Sequence, residues 1–159
     1  MKKMLAVLLT LTLMLTNLGA VLAETVSAPP ASQISANPNY ASVEKFFLGA
    51  GDTRDFTIEY VTSAIGKNSS SSVSVSAVTE SNTTAVKIGG IFYVQQWKNN
   101  AWRNYTSTAF WTYSTTRAST LQTVSVESGY YYRIKVYHIA TDNTATLQAI
   151  STTTSVLVN

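Results

Sequence analysis

The chain contains no cysteine, one histidine and three prolines, and only 12% of its residues are charged. Without cysteine, disulfide staples, thiolate metal sites and cysteine nucleophiles are excluded, so a folded domain must rest on its hydrophobic core. The prolines, Pro29, Pro30 and Pro38, all lie in the first third. The remainder therefore places no pyrrolidine where a central strand must donate an N–H. Basic residues exceed acidic ones by 11 to 8, a net +3, but Lys2 and Lys3 supply two of them. From Glu24 onward the balance is 9 minus 8, or +1, and the basic residues are scattered singly from Lys45 to Lys135. That pattern lacks the clustered positive charge of a nucleic-acid footprint, and no nucleic-acid partner is expected.

What is present begins with Lys2 and Lys3, an apolar run over residues 5–18, and small residues at Val21-Leu22-Ala23. These three regions read as a secretory signal peptide over 1–23, cleaved after Ala23. Thr10, Thr12, Thr16 and Asn17 interrupt the run, which is shorter than the roughly 20 residues of a membrane-spanning helix. A stable membrane anchor is not expected, and the missing cysteine excludes lipidation of the new N-terminus. Secretion into the extracellular space is the expected localisation.

Residues 24–42 are small, polar and proline-bearing, and read as an extended leader or linker. A domain over 43–159 follows, with strand signals at short intervals: β-branched and aromatic residues, period-two alternation and punctuating Gly, Asn, Asp or Ser. Strands are expected at 44–48, 54–62, 72–79, 85–97, 102–113, 121–127, 130–139 and 145–158, the last breaking near 152–154. Turns are expected at 49–52, 66–71, 80–83, 98–101, 128–129 and 141–143. The fold class is all-β, a single antiparallel sandwich of seven or eight strands, with a barrel as the alternative.

Lys98-Asn99-Asn100-Ala101 separates two aromatic runs, and its asparagines tolerate the positive φ of a tight hairpin. With Asn99 and Asn100 central, Trp97 lies opposite Trp102. An uninterrupted register puts Val86, Ile88, Phe92 and Val94 on one face with Tyr105, Ala109 and Trp111. It puts Ile91, Tyr93, Gln95 and Trp97 on the other with Trp102, Asn104 and Thr106. The first face is the expected core, making Trp111 a core residue, and a single bulge would exchange the faces. The candidate contact site is then Trp97 and Trp102 with Gln95, Arg103 and Asn104, suited to a sugar face or a protein partner at the cell surface. The ordinary alternative is a cross-strand pair that only stabilises its hairpin.

In the strand from Tyr130, Tyr132, Ile134 and Val136 form an apolar face, and Tyr131, Arg133, Lys135 and Tyr137 an amphipathic outer one. The phrase Glu127-Ser128-Gly129-Tyr130-Tyr131 resembles the entry to a late strand of immunoglobulin-like sandwiches. That resemblance implies a tyrosine hydroxyl tying a corner to backbone. Together with the signal peptide and the tryptophan hairpin, this strand resembles small secreted β proteins of Gram-positive bacteria. The resemblance implies export and a β-sandwich, and no activity.

Catalytic material is thin. His138 stands alone near a strand end, Asp142 is its sequence neighbour, and no Gly-x-Ser-x-Gly elbow is present. Asp55 and Glu59 share a strand face, but about 13 Å of backbone separates them, beyond the spacing of a glycosidase pair. Asp52 lacks the clustered oxygen donors of a calcium loop. No enzyme activity, metal or cofactor is expected. Asn68, Asn82 and Asn104 begin glycosylation-like triplets, which are chance matches in a bacterial Ser/Thr/Asn-rich chain. The leading expectation is a non-enzymatic secreted β protein acting through surface contacts. A carbohydrate-binding module stands second, and a pore-forming hairpin drawn from residues 69–88 stands third.

Overall fold

Two long strands organise the molecule. In the computed structural model, which describes residues 27–47 and 56–159, the chain forms β1 (Tyr40–Phe46), β2 (Ile58–Ser69), β3 (Ser72–Lys98), β4 (Ala101–Ser125), β5 (Tyr130–Thr141), β6 (Thr146–Thr152) and β7 (Val156–Val158). A short 3-10 turn, Ala31–Gln33, precedes them. The expected signal peptide and the 49–52 turn lie outside the described residues.

All pairing is antiparallel between these strands, and one curled sheet joins all seven as a half-barrel. The first half of β3 pairs with β2 from Ser72 to Ser81, and its second half pairs with β5 from Lys87 to Gln96. On its other side β4 accompanies it throughout. The two halves thus form two layers that share their longest strands, and β2 packs against β5, β6 and β7 across the core.

The expected turn at 80–83 is instead a corner inside β3. Glu80 pairs with Arg117 and Ala85 with Thr115, so Ser81 to Thr84 bulge out opposite Thr116. Sandwich strands that change layers bend through such irregularities. Ser81 Oγ donates to the Thr83 carbonyl at 2.8 Å, and Asn82 Oδ1 accepts the Thr57 N–H at 2.8 Å. The expected strand pairs 72–79 with 85–97, and 102–113 with 121–127, are therefore one strand each.

The core follows the alternation. Val61, Ile65, Val73, Val75, Ala77, Phe92, Val94, Tyr132, Ile134 and Val136 are buried, with Ile88 beside them. Val73, Val75 and Ala77, which a pore-forming hairpin would turn toward lipid, are committed to this core. The break expected near 152–154 separates β6 from β7. The domain boundary drawn at residue 43 falls inside β1, and the preceding leader is partly structured: Ile34 bridges to Ser155, and Pro29 is buried.

Gly89 and Gly90 let the backbones of β4 and β5 approach the second half of β3 closely. Gly89 has φ +147°, and a Cβ there would lie 1.9 Å from the Phe110 carbonyl oxygen. No other residue accommodates that approach without moving backbone.

Candidate functional site

The hairpin between β3 and β4 turns on Asn99 and Asn100, at φ 54° and 58°. Trp97 pairs with Trp102 as expected, with ring centroids 5.2 Å apart and planes inclined at 63°. The pair is not an open platform. Trp97 is only 9% exposed. Its Nε1 donates to Ser27 Oγ at 3.3 Å, while Trp102 Nε1 donates to Gln33 Oε1 at 2.6 Å. Ser27 in turn donates to Asn100 Oδ1 at 2.6 Å. The leader therefore straps the hairpin tip, satisfies both indole donors and leaves Trp97 covered and Trp102 half-buried.

A bulge sets which residues join them. Val94 pairs with Thr106 but Gln95 with Asn104, leaving Tyr105 as the extra residue. Beyond it the parity of β4 reverses. Phe110 becomes the core residue, and Trp111 moves to the outer face, where it lies over Gly89 under the Lys87 ammonium, 4.0 Å from the ring centroid. The expected core role of Trp111 is overturned by that one residue. Arg103 lies off this face independently of the bulge, because the Trp97–Trp102 register pairs it with Gln96, whose side chain points inward.

Gln95 and Asn104 do meet, with Gln95 Nε2 donating to Asn104 Oδ1 at 2.9 Å. Four residues missing from the expected site complete the constellation. Arg133 Nε donates to Gln95 Oε1 at 2.9 Å while its guanidinium lies 4.3 Å from the Trp102 ring centroid. Tyr93, Lys135 and Tyr137 then wall, with Gln95 and Asn104, an open groove of about 220 Å³ on the outer face. The two tyrosine rings meet edge to face at 5.8 Å, and the Lys135 ammonium lies 5.0 Å from the Tyr137 centroid. The amphipathic alternation of β5 announced Arg133, Lys135 and Tyr137. Their partnership with Tyr93 did not show, because it depends on β5 replacing β2 beside β3 after the corner.

Charge on this outer face has one sign. The outward positions, in register, are Lys87, Ile91, Tyr93, Gln95 and Trp97 on β3, and Trp102, Asn104, Ala109, Trp111 and Tyr113 on β4. On β5 they are Tyr131, Arg133, Lys135, Tyr137 and Ile139. Seven are aromatic and three cationic, and none is Asp or Glu. Such a surface attracts anions, and its rings other than the covered Trp97 offer flat apolar faces.

On the inner face of the same strands His138 is fully buried among hydroxyls from three other strands. Thr79 Oγ1 donates to the Gly89 carbonyl at 2.9 Å, so it accepts from His138 Nδ1 at 2.8 Å. Nδ1 thus carries the proton, and Nε2 accepts from Ser151 Oγ at 2.8 Å, which is itself bonded to Ser63 Oγ. Burial, reinforced by the Lys45 charge, lowers the His138 pKa to about 4, so the ring is neutral. The Ser–His contact has the residue types of a hydrolase, but Ser151 is 0% exposed and no carboxylate among the described residues bonds the ring. The cluster is built to satisfy buried polar groups.

Tyr132 closes the far end of the core. Its hydroxyl donates to the Glu127 carbonyl at 3.0 Å and accepts from the Glu127 N–H at 3.1 Å and Gln96 Nε2 at 2.8 Å. Burial pushes its pKa up to about 12. The corner implied by the immunoglobulin-like phrase is present, made by Tyr132 rather than Tyr131. Among the described residues no group of three or more His, Asp or Glu is placed to hold a metal ion. No protein-family model, curated protein or solved structure matches the chain.

Proposed function

We propose that this protein is an exported, non-enzymatic binding protein that acts through the outer face of β3, β4 and β5, and that its ligand is an acidic glycan. The observation that carries the reading is a face rich in aromatic rings and cations, free of carboxylates, and indented by the groove at Tyr93, Gln95, Asn104, Lys135 and Tyr137. Sugar C–H faces pack on aromatic rings, hydroxyls exchange hydrogen bonds with amides and phenols, and Lys135 meets a carboxylate or phosphate on the polymer. The groove is open to solvent rather than enclosed, which suits a polymer lying against it better than a small molecule buried in it.

The tryptophan pair enters as support for the groove wall, through Arg133 stacked on Trp102 and bonded to Gln95. Export rests on the N-terminal pattern of residues 1–23.

The test is retention on immobilised polygalacturonate compared with neutral dextran, at low and high salt. Selective retention on the acidic polymer, lost with salt and lost in Lys135→Glu, is expected. Equal behaviour on both matrices, or wild-type retention by Lys135→Glu, would reject the reading.

A further inference from the structure

Strand β4 is 25 residues long and pairs only with β3. Among the described residues nothing is hydrogen-bonded along its other edge as a strand, so a long row of backbone N–H and C=O groups faces solvent. Native edges are ordinarily blunted by proline, lysine, short length or bulges. β4 has neither proline nor lysine, and its irregularities sit at Tyr105 and at Ser114, where φ is 53°. Beyond them the run 117–125 pairs with β3 without interruption. It reads Arg-Ala-Ser-Thr-Leu-Gln-Thr-Val-Ser, with β-branched residues, no glycine and one charge. At its centre Leu121 is 77% exposed, the most exposed large hydrophobic residue among the described residues.

We propose that this edge pairs with the same edge of a second copy of the chain, antiparallel across a two-fold axis, with Leu121 opposite Leu121. An isologous contact needs a self-complementary surface. Taking Leu121 as the centre sets Ser119 opposite Thr123, Ala118 opposite Val124, and Arg117 opposite Ser125. No like charges meet, because Arg117 is the only charge in the run and is held at home by Glu80, Nε to Oε1 at 2.8 Å. Side-chain period fixes the register: a slip of one residue turns Leu121 away from its partner. The half of β4 before Ser114 is unsuited, since the leader reaches Trp102 and Tyr105 bulges. The pairing leaves the glycan-binding groove open on both copies, and it extends the layer made by β2 and the first half of β3.

The chain has no cysteine, so single cysteines report the register directly. Leu121→Cys and Tyr113→Cys, both at exposed β4 positions, are treated with a short bis-maleimide. Mass is followed by light scattering over a concentration series. The expected result is a concentration-dependent dimer in the unsubstituted protein and at least tenfold more cross-linked dimer for Leu121→Cys than for Tyr113→Cys. Leu121→Lys, a change at an exposed position, is expected to keep the native circular dichroism and remain monomeric. A monomer at every concentration, equal cross-linking of both variants, or an undiminished Leu121→Lys dimer would overturn the proposal.

Discussion

The two faces of β5 carry the same kinds of groups and put them to opposite use. On the inner face His138 spends both ring nitrogens on hydroxyls, and Tyr132 spends its hydroxyl on Glu127 and Gln96. On the outer face Tyr137, next to His138 in the chain, and Lys135 line an open groove. The catalytic-looking serine and histidine are both fully buried. The comparison teaches that residue type is a poor guide to role here, and that free hydrogen-bonding capacity on an accessible face is a better one.

The sharpest way to break the framework that both faces share is Gly89→Ala. Its Cβ would collide with the Phe110 carbonyl at a φ that L-residues rarely adopt, so the change should cost more than about 4 kcal/mol and leave little folded protein by circular dichroism. Next is acid. A buried histidine with its pKa lowered to about 4 resists a proton that the unfolded chain accepts near 6.5. Stability is therefore fully present above pH 6.5 and falls as pH drops toward 4, by about 3 kcal/mol across that window. Urea melts at pH 7 and pH 4 measure it, and His138→Leu should abolish most of the difference. Tyr132→Phe follows. It strands the Glu127 backbone N–H and leaves the Gln96 amide with Glu127 Oε2 alone, at about 1–3 kcal/mol in the same urea melts. The smallest effect belongs to the strap. Ser27→Ala with Gln33→Ala removes the partners of both indoles, and should shift tryptophan emission to the red at a cost of about 1 kcal/mol in stability.

The fold class was legible because alternation and turn chemistry are local. The tight turn at Asn99-Asn100 and the Trp97–Trp102 pairing followed from two asparagines between two runs. What failed was anything decided by one residue of register or by distant neighbours. The Tyr105 bulge carries no sequence mark of its own, yet it exchanged Trp111 for Phe110 in the core. Ser81 to Thr84 has the composition of a hairpin turn, and becomes a layer-crossing corner because β4 runs alongside to hold both halves of β3 together. Of the expected site, Gln95 and Asn104 stand in the groove, Trp102 supports it through Arg133, Trp97 is covered and Arg103 faces away. The leader was read as an extended connection because proline and small polar residues mark one. Its docking across the hairpin tip depends on side-chain hydrogen bonds that composition does not reveal.

The central claim, that structure and binding are divided between the two faces of β5, is tested most directly by crossing two substitutions with two readouts. His138→Leu and Lys135→Glu are each measured for urea midpoint and for retention on polygalacturonate. The account predicts that at pH 7 His138→Leu lowers the midpoint, by about 2–4 kcal/mol in stability, and keeps its retention at temperatures where it is folded. Lys135→Glu is predicted to keep its midpoint within about 0.5 kcal/mol and to lose retention. Retention unchanged in Lys135→Glu, or lost in folded His138→Leu, would contradict it.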